Sequence, residues 1–585
     1  MQLAPRTVRA EVDDGPTGAP FAAGTTGLGD LAVTLDLTDD RLRWSVANRG
    51  DRPARVRRVA VELAVRDAAG PVRMFRHGYQ SWSPCDTVVV GAGRDPSLGA
   101  AGLREFLGAY HADQRPAAEG EVRSEWVTVL ADDTSATLLG ALGGSAHDVT
   151  FRARLDERSV PVVAVEALLG GARLDPGEER ALHDVRLDDG GGRADAAAAP
   201  ALLEAWAAEV GAREGARTGA PYQVGWCSWY HYFHQVTASD VAANLAAADG
   251  WPFEVFQVDD GYQRAIGDWL ATNDRFPDGL PRLAADIAAA GFRPGLWLAP
   301  FLVAPDAPVA HDHPDWIVRR PDGRPLGAWF NPDWGGGEDG VMWALDTTHP
   351  EVQAHLEHVA RELVATGFTY LKLDFTFAPS LDGAWHDDRA TPAERVRAGY
   401  AALRRGAGTD AFLLGCGVPL ANVVGLVDGN RIGQDVAPEW SLPPERELVP
   451  GYLAIQPAVA SAVGNTVARS FMHRHLWLND PDCLLLRTER TRLTPAAIRT
   501  WADVVATSGG MALVSDDLRL LGAEARALLD DVVERGRASD ERARRGSPAR
   551  CLDLMAPGPS AALASGPDEV HVDLAGGTSR RRQAV

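Results

Sequence analysis

The 585-residue chain reads as multidomain: an N-terminal β-sandwich, a central (β/α)8 TIM barrel and a small C-terminal β-domain. Three observations predict this. Alternating apolar runs between Gly, Pro and Asp turns fill the first part of the chain, to about residue 185. From about Pro221, short apolar runs alternate with helical segments eight times, over the ~300 residues a barrel needs. Beyond about residue 520 only one helix and two weak strands are readable.

Taken in order, Val59, Val61, Leu63 and Val65 keep the period of two expected of a half-buried strand, and EWVTVL, SATLLGAL and VTFRARL follow in the same style. The stretch DDGGGRADAAAAP (188–200) is a linker running into the helix ALLEAWAAEVGARE, so the sandwich is assigned to 1–200. Eight strands are expected in YQVGWCSW, FEVFQVDD, FRPGLWLAP, YLKLDF, AFLLGCG, GNRIGQD, NTVARSF and MALVSD. Between them lie helices such as SDVAANLAAA, LPRLAADIAAAG and HPEVQAHLEHVARELVATG, giving a barrel over 201–522. The segments CLDLM and EVHVDL are the strands expected in the remainder, 523–585.

Composition restricts function. With 58 basic and 80 acidic residues the formal charge is -22, which repels phosphate backbones and anionic lipids and argues against nucleic acid or a membrane surface as partner. Cys85, Cys227, Cys416, Cys483 and Cys551 are sparse, odd in number and form no CxxC pair, as expected of free thiols in a reducing compartment. With no apolar segment of signal-peptide type at the start and no long apolar run later, a soluble cytoplasmic protein is expected.

Of the basic residues only Lys372 is lysine, so that position is a candidate for a compact ammonium that a planar guanidinium cannot replace. Tyr370, Lys372 and Asp374 share one face of a strand and Leu371 and Leu373 the other. If the leucines pack on the outer helices, the polar set points into the barrel mouth, where such folds keep their active sites. A carboxylate beside an ammonium stays ionised, which suits Asp374 as nucleophile or charge stabiliser. In GNRIGQD, Arg431, Gly433 and Asp435 share a face, and Asp435 is the second carboxylate, a candidate general acid. Asp259 and Asp260 end another strand, and Trp297 lies near the end of a third. Any one aspartate could simply cap a helix; four at strand ends with a Lys and an Arg argue for a site. Nine of 17 tryptophans fall between Trp226 and Trp343. Aromatic faces beside charged forks suit sugar rings and their hydroxyls.

The competing reading is a metal-dependent hydrolase, because His311 with His313 and His473 with His475 have ligand spacing. GxSxG, P-loop and dinucleotide signatures are missing from the sequence.

The motifs WCSWY (226–230), VDDGYQ (258–263), GLWLAPF (295–301), YLKLDF (370–375), LLGCGVPL (413–420), DGNRIGQDVAP (428–438), WLNDPDCLLLR (477–487) and MALVSDDLRLLG (511–522) together resemble glycoside hydrolase family 36, the retaining α-galactosidases. HGYQSWSP (77–84) resembles the tryptophan loop this family brings over its active site. The resemblance implies a β-supersandwich, a (β/α)8 barrel and a short C-terminal β-domain. It also implies an exo-acting double displacement on terminal α-D-galactosyl residues, with Asp374 as nucleophile and Asp435 as acid/base. Asp259, Asp260, Trp297, Lys372, Cys416 and Arg431 would hold the galactose, walled by Trp82, Trp226 and Trp229. No metal or organic cofactor is implied; the partner is an α-galactoside, and a homo-oligomer is compatible with the family. The family more often has Pro where Gln434 stands. An α-N-acetylgalactosaminidase, a galactosyl transglycosylase or a catalytically silent sugar-binding protein are the alternatives.

Overall fold

The computed structural model describes residues 1–12, 15–92, 108–115, 117–192, 194–335, 340–443 and 456–583. The N-terminal region packs two antiparallel sheets. In one, the long strand Ala54–Arg66 lies between Gln2–Val12 and Pro161–Leu174, so Val61 faces Val8 on one side and Val165 on the other. The other has nine strands, among them Arg41–Asn48, Val127–Ala131 and Ala136–Ala141. Val59, Val61, Leu63 and Val65 are buried, but Ala60, Glu62 and Ala64 between them are buried too, so this central strand is covered on both faces rather than half-buried. The strands Arg73–Arg76 and Asp86–Val89 pair antiparallel, and the loop joining them leaves the sandwich to reach the barrel. There Gln80 pairs with Pro419 and the Leu420 amide donates to the Tyr79 carbonyl at 3.0 Å.

Eight parallel strands follow: β1 (Val224–Cys227), β2 (Val255–Val258), β3 (Arg293–Leu298), β4 (Tyr370–Leu373), β5 (Phe412–Gly415), β6 (Gly429–Arg431), β7 (Leu478–Asp480) and β8 (Ala512–Val514). Their order is β7-β6-β5-β4-β3-β2-β1-β8, with the Met511 amide bonded to the Asn479 carbonyl at 2.9 Å across the remaining gap. Sequence order around a near-closed sheet is what right-handed βα units produce. Helix starts are set locally: Thr237 with Asp240, and Thr391 with Glu394, form capping boxes on Ala238–Ala247 and Pro392–Ala407.

One strand assignment is corrected. NTVARSF does not form the seventh strand; its first half ends the helix Val459–Ala468, which a short 3-10 turn at Ser470–Met472 follows. β7 instead lies in the WLND segment. Val459 and every residue from Ala462 to Ala468 are buried, and a helix apolar on all sides carries no period by which to distinguish it from a buried strand. At the C-terminus the helix Ala523–Arg544 precedes a four-stranded antiparallel sheet of Arg550–Cys551, Ala562–Ser565, Asp568–Asp573 and Thr578–Gln583. EVHVDL supplies the third strand, whereas CLDLM contributes only Cys551 and then turns. Among the described residues no helix is long and apolar enough to cross a membrane.

Candidate active site at the barrel mouth

β3 and β4 pair in register with Trp297 opposite Lys372, so the two side chains enter the barrel at one level. Lys372 donates to Asp259 Oδ2 at 3.0 Å and stands 3.7 Å from Asp374 Oδ2. Burial opposes the lysine's charge, but Asp259 and Asp374 outweigh it and hold its pKa well above the usual value. Lys372 is therefore a permanent cation between two carboxylates. Asp259 is steadied by Gln257 Nε2 at 2.6 Å, and its own amide donates to Ser228 Oγ at 2.9 Å. Asp260 has other partners, accepting from Trp334 Nε1 at 2.7 Å and Gln263 Nε2 at 2.6 Å; burial raises its pKa to about 6.

Asp374 closes β4. Its amide continues the sheet to the Leu298 carbonyl at 2.7 Å, its Oδ2 accepts from Trp297 Nε1 at 3.1 Å, and its Oδ1 accepts from the Phe375 amide at 2.8 Å. Phe375 adopts φ 51°, a left-handed conformation that costs a bulky residue energy and recurs at functional sites. Its ring lies among four tryptophans, Trp82, Trp334, Trp329 and Trp297, at centroid distances of 5.0, 4.9, 5.2 and 6.5 Å.

Trp82 arrives from the sandwich loop, as the HGYQSWSP motif implies. A Cβ on Gly417 would lie 2.7 Å from Trp82 Cη2, and Gly417 has φ +53°; only glycine there lets the indole sit beside Cys416. Trp82 Nε1 is buried and has no hydrogen-bond partner among the described residues. Cys416 is buried, its amide bonded to the Leu373 carbonyl at 2.8 Å; burial, with Asp374 nearby, pushes its thiol pKa well up.

On the opposite side, Arg431 Nη2 lies 3.1 Å from Asp435 Oδ1 and 2.9 Å from Asp482 Oδ1. Asp482 Oδ2 also accepts from the Tyr230 hydroxyl and, at 2.8 Å, from the Val436 amide. Asp435 keeps 33% of its side-chain surface open, whereas Arg431 keeps 2%. Partial burial raises the Asp435 pKa, Arg431 opposes the rise and the Asp374 charge adds to it. One carboxyl is thus biased toward holding a proton while the other sits against a permanent cation, the asymmetry an acid and nucleophile pair requires.

One expected wall, Trp226, is placed differently. Trp226 is fully buried, stacks on Phe256 at 4.2 Å and donates Nε1 to the Asp516 carbonyl at 2.8 Å, while its neighbour Cys227 takes the inner face beside Asp259. Alternation along β1 therefore turns Trp226 outward into the packing behind the barrel wall. Trp229 is half-buried with its ring against Phe233 at 5.4 Å. Sequence reasoning missed Tyr230, Trp329, Trp334, Phe375 and Asp482. Tyr230 and Phe375 end recognised motifs and Asp482 sits inside WLNDPDCLLLR, so a signal existed for these three; Trp329 and Trp334 stand in irregular sequence between β3 and β4.

The histidine pairs do not converge. His313 stacks on Trp316 at 3.8 Å, and buried His473 pairs with Asp540 at 3.0 Å. Among the described residues no group of three or more His, Cys, Asp or Glu side chains gathers to hold a metal ion.

The melibiase family profile matches residues 225–379, which span β1 to β4 and Asp374. The α-galactosidase TtGalA of Thermus thermophilus, solved with p-nitrophenyl α-D-galactopyranoside, superposes with a TM-score of 0.69 at 29% identity over 94% of this chain and 99% of that one. Together these likenesses support assignment of the chain to glycoside hydrolase family 36. Within this family, the α-galactosidase AgaA of Geobacillus stearothermophilus is 29% identical over 163 residues, 28% of this chain. Its crystal structure superposes at a TM-score of 0.59 with 14% identity, covering 97% of this chain and 79% of that one, a likeness of fold. The aligned segments span only 20% of the length of AgaA and 22% of that of the probable α-galactosidase C of Aspergillus flavus.

Proposed function

We propose that the chain is an exo-acting, retaining α-galactosidase. The observation that carries the reading is the mouth itself: Lys372 bridging Asp259 and Asp374, with Asp435 across from them on Arg431. Asp374 attacks the anomeric carbon while Asp435 protonates the departing oxygen; Asp435 then takes a proton from the water that releases the galactosyl-enzyme. Asp259, Asp260, Lys372 and Arg431 hold the ring hydroxyls, Trp297 orients Asp374, and Trp82, with its free indole N–H, covers the sugar beside Cys416. A mouth lidded by a loop from another sheet suits a terminal residue, which supports exo action. TtGalA has also been solved with stachyose, which supports an oligosaccharide α-galactoside as substrate. Divisions at 1–200, 201–522 and 523–585 fit this architecture, and the five unpaired cysteines fit a cytoplasmic setting.

The test is a panel of p-nitrophenyl α-glycosides followed by proton NMR of the first product. Turnover of the galactoside with α-galactose appearing first is expected, unchanged by EDTA. Preference for the N-acetylgalactosaminide would replace the substrate, β-galactose first would overturn retention, and binding without turnover would leave a silent sugar-binding protein.

A further inference from the structure

Arg469 has an exposure of 0% and, among the described residues, no ion pair with a carboxylate. An isolated buried charge costs several kcal/mol, so its compensation needs an account. Backbone carbonyls supply it. Nη1 donates to Ser81 at 2.9 Å and Ile432 at 2.6 Å, and Nη2 donates to Gly78 at 3.1 Å, Gln80 at 2.9 Å and Ser83 at 3.1 Å. Nε completes the set on His77 Nε2 at 3.4 Å. His77 is neutral, burial and then Arg469 keeping its pKa well down, and its Nδ1 meets the Glu125 carbonyl at 2.9 Å. Four carbonyls of the 78–83 loop thus converge on one guanidinium, a conformation the loop could not hold around an apolar side chain without orphaning its acceptors. Asn465, one helical turn earlier, donates to the Ser81 and Ser83 carbonyls at 3.1 and 3.0 Å and accepts from the Cys85 amide at 2.9 Å.

That loop carries Trp82, and Ile432 lies between Arg431 and Asp435. We propose that Arg469, with Asn465 beside it, is the positioning residue of the Trp82 loop: from the barrel helix it sets the indole over Gly417 and Phe375 and ties it to the segment bearing Asp435, and so governs substrate affinity. Arg469 touches no substrate group. The inference rests on the galactosidase reading and adds to it a residue outside the family motifs.

The experiment is a double-mutant cycle between Arg469→Met and Trp82→Ala, with KM and kcat on p-nitrophenyl α-galactoside and hydrogen exchange over residues 77–86. Arg469→Met should raise KM about tenfold and leave kcat within about threefold. In the Trp82→Ala background it should add less than about twofold, because no indole remains to be positioned. An equal KM increase in both backgrounds, or an unchanged KM in a folded variant, overturns the proposal. If Arg469→Met fails to fold, Asn465→Leu and Arg469→Lys carry the same cycle with the same criteria. If the wild type turns over no galactoside, the functional reading fails by itself and exchange judges the clamp: faster exchange confined to 77–86 in the variants supports it, and unchanged exchange sinks it.

Discussion

Lys372 Nζ stands 3.7 Å from Asp374 Oδ2, two residues along one strand, while its hydrogen bond goes across the barrel to Asp259 at 3.0 Å. The ammonium is small enough to serve both carboxylates within a side chain 9% exposed. A guanidinium is longer and planar, so Lys372→Arg keeps the charge and displaces whatever hydroxyl the ammonium meets. A 1 Å misplacement costs about a hundredfold. Steady-state kinetics on p-nitrophenyl α-galactoside should show kcat/KM down by about that factor with little change in Tm; a loss below about threefold would refute the role.

Asp374→Ala removes the group assigned to form the glycosyl-enzyme and should abolish turnover without unfolding. Azide should then fill the space and attack the α-galactoside directly, restoring part of the cleavage with β-galactosyl azide as product. Wild-type-like activity in this variant ends the nucleophile assignment.

Asp435→Ala should discriminate between leaving groups. An activated aryl galactoside departs without a proton, so its first step should be spared relative to melibiose or raffinose. In the wild type the raised Asp435 pKa means the acid is protonated below that pKa, and kcat/KM should fall as pH rises through it. This alkaline limb should disappear in the variant for the aryl substrate. Equal losses on both substrate types would count against the acid role.

What could be read in the sequence was the part governed by period and rarity. The single lysine and the two-residue alternation of Tyr370, Lys372 and Asp374 located the inner face of β4 without knowledge of the rest. The same alternation applies to β1, where it puts Cys227 inward and Trp226 outward, but Trp226 is an expectation of the family resemblance, which does not resolve register. Trp334 was beyond reach because its contact with Asp260 joins an irregular excursion after β3 to the end of β2, and no local pattern encodes that pairing. Arg469 was hidden by a segment whose uniform burial removed the helical period, so the helix read as a strand.

The last prediction concerns Asp482, which shares Arg431 with Asp435 and holds the Val436 amide. Burial, against the pull of Arg431 and with Asp435 adding to it, raises its pKa to about 7. An unfolded chain ionises this carboxyl near the ordinary value of about 4, so between about pH 4 and 7 the folded state binds more protons and this group's contribution to stability falls as pH rises. Asp482→Asn removes that titration while nearly preserving shape. The variant's Tm, compared with wild type, should therefore be more favourable at pH 8 than at pH 5. In activity the substitution leaves Arg431 with Asp435 as its nearer carboxylate partner, which should lower the Asp435 pKa and move the alkaline limb of kcat/KM to lower pH. Melting curves at the two pH values and a pH profile on p-nitrophenyl α-galactoside check both halves. A Tm difference independent of pH, together with a superimposable profile, would show that Asp482 is inert toward Asp435 and leave it only its hydrogen bonds to Tyr230 and Val436.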